Sequence, residues 1–94
     1  MIKVILKGFI SVPPSDLKTV ENELPTHIAL TLQEEGCLCF RVSKNHRNPF
    51  RFDVYEEFKD EGAFKAHQQR VENSRWGKIT KNVERHYEVS HSEY

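Results

Sequence analysis

The sequence carries no excess of charge: fourteen Lys and Arg balance fourteen Asp and Glu among 94 residues. No basic stripe stands out, which argues against nucleic acid or an anionic membrane surface as the main partner. Long apolar runs are also missing. The amino end, MIKVILKGFISVPP, is apolar, but lysines interrupt it and no small-residue cleavage site follows. It reads as a strand, neither signal peptide nor membrane span. Cysteine is scarce. Cys37 and Cys39 are the only two, and a loop so short makes a poor disulfide, which points to a reducing cytoplasm. Their spacing, with five scattered histidines, gives no zinc pattern, so no metal is expected. Neither a Gly-rich phosphate loop nor a Ser/His/Asp arrangement can be read, and there is no repeat or low-complexity segment. The chain is 37 % apolar and 30 % charged. That composition suits one soluble domain over residues 1–94, near the small end of what closes a core alone.

Apolar periodicity lays out the elements. Ile2 to Val12 alternates as a strand, with Val4, Leu6 and Ile10 on one face and Ile5 and Phe9 on the other. Pro13 and Pro14 stop it, and Ser15 or Asp16 can cap a helix carrying Leu17, Val20, Leu24, Ile28 and Leu32 at three- and four-residue steps. Pro25 falls inside that pattern and is expected to kink or divide the helix. His27, just after it, is expected to be exposed. Gly36 is a stop signal. Cys37 to Lys44 reads as a strand with Leu38, Phe40 and Val42 opposite Cys37, Cys39 and Arg41. Lys44 to Pro49 is a turn, and Phe50 to Phe58 a third strand that sets Phe52, Val54, Glu56 and Phe58 opposite Tyr55 and Glu57. Asp60 caps a second helix packing Ala63, Phe64, His67 and Val71. A short helical turn with Trp76 and Ile79 follows, and then a last strand from Val83 to about Ser90.

The order β-α-β-β-α-β is α+β and ferredoxin-like: a four-stranded antiparallel sheet with two helices on one face. The helices leave Ile5, Phe9, Cys37, Cys39 and Tyr55 on the other face. So much apolar area predicts a homodimer through sheet faces.

The segments EEGCLCFRV and FRFDVYEEFKDEGAFKAH resemble the antibiotic biosynthesis monooxygenase domain family. The pattern is a helix ending in Glu-x-Gly, a Cys-Leu-x-aromatic strand, an aromatic-x-x-Tyr-Glu-x-aromatic strand, and Ala-x-x-x-His on the second helix. The matching positions are Glu35 or Glu34, Gly36, Cys37, Leu38, Phe40, Phe52, Tyr55, Glu56, Phe58, Ala63 and His67. The resemblance implies a dimeric α/β barrel and a cofactor-independent monooxygenase acting on a quinol or polycyclic phenol. Such a phenol, once deprotonated, can itself pass an electron to oxygen. The protein must then bind a flat ring, accept a proton near neutral pH and shelter the anion.

His67 is the candidate base or anion stabiliser, since imidazole titrates in the right range; the plain alternative is a core histidine bonded to backbone or buried water. Phe40, Phe52, Phe58, Phe64 and Trp76 line a ring-binding cavity or simply form core. Tyr55 orients substrate or sits on the dimer face. Glu56 either pairs with Arg85 or Lys78 or acts as a catalytic carboxylate. Two enzymatic relatives of the fold are weighed. A haem-degrading branch uses an Asn on the first strand, where this chain has Lys7 and Gly8. A branch that isomerises or processes a phosphorylated small carbonyl signal molecule has a signature close to YEEFKDEGA, and its phosphate would need Lys78, Lys81 or Arg85. A non-catalytic stress-response binding domain is the reading from another class.

Overall fold

The computed structural model describes residues 1–93 and runs β1 (Ile2–Ser11), a 3-10 turn (Pro14–Asp16), α1 (Leu17–Leu32), β2 (Cys37–Lys44), β3 (Arg51–Phe58), α2 (Glu61–Glu72), α3 (Arg75–Ile79) and β4 (Glu84–Glu93). The four strands form one antiparallel sheet in the order β2-β3-β1-β4. It is the ferredoxin-like α+β arrangement that the alternation of strand and helix periods implies. Val4, Leu6 and Ile10 from β1 and Phe52, Val54 and Phe58 from β3 are buried on one face. Val20, Phe64 and Trp76 pack onto them from the helices. Each large side chain removed from water contributes on the order of 2 kcal/mol.

Three local expectations are corrected. Helix α1 runs unbroken through Pro25. Pro25 faces solvent, where the carbonyl four residues back can bond to water, so the missing N–H does not force a break. The buried stripe of α1 is also rotated. Val20, His27 and Thr31 are buried and Leu24 packs on the core, while Leu32 is 56 % exposed. The inward line therefore runs 20, 24, 27, 31, and His27 is only 5 % exposed. In β2, an irregularity between Cys37 and Cys39 shifts the register. It extrudes Leu38 to 49 % exposure and turns Cys37 toward the core, so the two thiols do not share a face.

On the outer sheet face, Ile5, Phe9 and Tyr55 are half-buried among charges. Lys3 pairs with Glu57 at 2.9 Å and Arg51 with Asp53 at 2.9 Å, and the Arg51 guanidinium lies 3.8 Å from the Phe9 ring centroid. The helices overlie β1, β2 and β3 and leave β4 largely bare, so Tyr87 and Val89 stay exposed. Between β1 and β4 the backbones come close at Gly8. Its φ is 155°, and a Cβ there would stand 1.9 Å from the His86 carbonyl oxygen, so only glycine fits.

Candidate active site

Asp60 opens α2 by accepting a 2.8 Å hydrogen bond from the Ala63 amide. This fixes the helix phase so that Phe64 and His67, three residues apart, both point at the sheet. The His67 ring, 6 % exposed, lies against Phe58 at 4.7 Å and Phe40 at 5.8 Å between centroids. Its Nδ1 is 3.0 and 2.9 Å from the two carboxylate oxygens of Glu34, just beyond the end of α1. Arg70 Nε donates to the same carboxylate and Arg70 Nη2 to Thr31 Oγ1 at 2.9 Å, which holds Glu34 in place.

On the far side of the ring, His67 Nε2 is 3.7 Å from Glu56 Oε1. Strand alternation forces Glu56 inward between Val54 and Phe58. Burial, with the nearby Glu34 charge adding, pushes its carboxyl up to about 7. Burial also lowers His67 from the ordinary histidine value, although Glu34 opposes this by hydrogen bond and charge. The two shifts run in opposite directions, the acid's up and the base's down, which favours the proton on Glu56.

Both groups line a cavity of about 540 Å³. Its walls are α1 through His27; α2 and α3 through Phe64, His67 and Trp76; and the sheet through Leu6, Glu56, Arg85 and Tyr87. His27 stacks on Trp76 at 4.4 Å and 4°. Its Nδ1 is buried with no hydrogen-bond partner among the described residues. Burial, then the charges of His67, Arg70 and Arg85, hold its imidazole down to about 3, so it is neutral at working pH. Tyr87 is 39 % exposed as a residue but borders the cavity, and local loss of water there, with the Glu56 charge adding, pushes its phenol up to about 12. A second cavity of about 370 Å³ lies beyond His67, walled by Glu34, Gly36, Lys59, Ala63 and Arg70.

The structure brings His67, Phe64 and Trp76 together on the larger cavity. Phe40 and Phe58 stand behind the His67 ring rather than on the cavity. Phe52 packs in the core with the Lys44 ammonium 5.8 Å from its ring. Tyr55 lies on the opposite sheet face, bonded to Glu57 and beneath Arg41. Glu56 meets His67 rather than Arg85 or Lys78, because Arg85 is engaged by Thr80, 2.8 Å from its Oγ1. Of Lys78, Lys81 and Arg85, only Arg85 lines the cavity. Sequence reasoning gave no site role to His27 or Tyr87, and named Glu34 only as an alternative to Glu35 in the family pattern. The 20-24-27-31 spacing could have found the first; the other two depend on where a helix end and a last strand come to rest. Among the described residues no group of three His, Cys, Asp or Glu is placed to hold a metal, and no helix is long and apolar enough to cross a membrane.

A family model described as antibiotic biosynthesis monooxygenase matches residues 2–78. No curated protein matches the chain. Solved structures do. A candidate antibiotic biosynthesis monooxygenase from Nitrosomonas europaea superposes with a TM-score of 0.77 at 16 % identity, over 97 % of this chain and 88 % of that one. A second structure, named antibiotic biosynthesis monooxygenase, gives 0.75 at 22 % identity over 100 % and 98 %. The Pseudomonas aeruginosa protein PA3566 gives 0.74 at 19 % identity over 99 % and 92 %. At such identities these likenesses speak for the fold.

Proposed function

The chain belongs to the antibiotic biosynthesis monooxygenase family, and on that premise we propose that it oxidises a quinol or polycyclic phenol with molecular oxygen, without a cofactor, in the 540 Å³ cavity. The observation that carries this reading is the Glu56–His67 pair on the cavity wall, 3.7 Å apart, with the carboxyl raised to about 7. A phenol entering the cavity loses its proton to this pair, and the phenolate is held where little water competes. The electron-rich ring then reduces oxygen directly. One oxygen atom joins the ring and the other leaves as water, so a substrate carrying two hydrogens supplies both electrons and both protons. Phe64 and the His27–Trp76 stack offer flat apolar walls for the ring.

The test is oxygen uptake with a panel of quinols, naphthohydroquinone and anthrone among them. His67→Ala is expected to lower the rate by about 10²–10⁴-fold. No uptake by the wild type above the uncatalysed rate, or equal uptake by H67A, overturns the proposal. Thermal stabilisation by phosphorylated sugars and not by aromatic rings would move the assignment to the isomerase branch. The homodimer through the outer sheet face, closing a dimeric barrel, is part of the same proposal, as is a reducing cytoplasm in which Cys37 and Cys39 remain thiols.

A further inference from the structure

Among the described residues, His67 is the one that lines both cavities. Its two nitrogens are engaged on opposite sides: Nε2 toward Glu56 in the larger cavity and Nδ1 on Glu34, which lines the smaller. The two carboxylates differ in their access to water. The Glu34 side chain is 17 % exposed and that of Glu56 8 %. We propose that Glu56, His67 and Glu34 form a reversible proton relay between the larger cavity and the smaller one, with the more exposed Glu34 as its terminus. The relay deepens the oxygenase reading and rests on it for the origin of the proton.

The steps balance. The Glu56 carboxyl proton passes to His67 Nε2 as the Nδ1 proton passes to Glu34 and on to water. The 3.7 Å gap closes by a small turn of the carboxyl or across one bridging water. Before the second transfer the ring is an imidazolium between two carboxylates. This carries the same total charge as neutral imidazole beside a protonated Glu56, so no new net charge is added among the buried groups. Overall oxygenation to a quinone and water neither releases nor consumes protons. The relay therefore runs outward when the phenol ionises and inward when the leaving oxygen becomes water, and the return stroke restores the starting tautomer.

Other charged groups face the relay. Arg70 from α2 pins Glu34, and Lys59 and Glu35 border the smaller cavity. Arg85 and Tyr87 from β4 and Glu72 from α2 line the larger one, and His27 lies 6.4 Å from His67 between centroids. Arg70 donates to Glu34 and orients its carboxylate toward His67 Nδ1.

The test needs no substrate. With histidine ring nitrogens labelled, NMR follows exchange of the His67 Nδ1 proton with water. Glu34→Gln keeps the shape and removes the proton acceptor, and is expected to slow exchange on the order of a hundredfold. Glu34→Asp, which keeps a carboxylate, falls between, and Glu56→Gln, which has no proton to hand to Nε2, slows exchange as well. Unchanged exchange in either E34Q or E56Q overturns the relay, because the Nδ1 proton then leaves by another route. In parallel, E34Q is assayed for naphthohydroquinone-dependent oxygen uptake, with added imidazole buffer expected to restore the lost rate. If the wild type takes up no oxygen, the oxygenase reading falls, while the exchange comparison still decides the relay.

Discussion

Glu56 and His27 respond in opposite ways to the same loss of water. For the acid, burial favours the proton: a carboxyl raised from 4.5 to about 7 makes the folded state bind protons that the unfolded state has released. Its contribution is greatest below pH 4.5 and is lost as pH rises through 7. In Glu56→Gln that loss disappears, and stability over this window is expected to rise relative to wild type by up to about 3 kcal/mol, at roughly 1.4 kcal/mol per pH unit. Urea midpoints measured across the window check this. For the base, burial disfavours the proton. His27, held down to about 3 from 6.5, contributes fully above pH 6.5 and loses that contribution as pH falls toward 3. His27→Phe keeps a ring beside Trp76 and removes the unpartnered Nδ1. Its melting temperature is expected to fall less than that of wild type between pH 6.5 and pH 4, with a parallel pair of curves counting against the assignment. Of these residues His67 was legible, because its spacing from Phe64 and Val71 puts it on the inward stripe. His27 was not, because the proline before it suggested a break.

Helix α1 shows how an element can be placed correctly and read with the wrong face. Its ends follow from Pro14 and Gly36, but Ile28 and Leu32 draw the stripe outward, and only packing on β2 decides the rotation. Pro25 sits on the exposed side of this unbroken helix and denies one i→i−4 hydrogen bond to the carbonyl of Glu21. Pro25→Ala is expected to restore that bond and stabilise the chain by about 1–3 kcal/mol, read as a rise in melting temperature. The bulge at Leu38 was hidden for a different reason. Cys37-Leu38-Cys39-Phe40 alternates well enough to pass for a regular strand, and an inserted residue leaves no mark on periodicity unless the partner strand is known. By contrast, the Asp60 cap and the Ser74 cap of α3 were written in local chemistry, and each accepts from the amide three residues on.

At the scale of the molecule, sheet order and helix side followed from the β-α-β-β-α-β order alone, whereas the cavity could not. Its walls come from residues as far apart as Leu6 and Tyr87, and no pattern states how much space they enclose. The outer sheet face is expected to pair with its copy. Light scattering at micromolar concentration should give twice the chain mass, and Phe9→Glu, which sets a charge amid the stacked Phe9 and His86 rings, should give a single chain. A monomeric wild type refutes the pairing. The close approach at Gly8 ties this architecture to the chemistry. Because nothing projects from that position, the fourth strand nestles against the first, and the tyrosine next to His86 is drawn in over the chamber. The roominess offered to a guest molecule is thus calibrated by an atom that is not there.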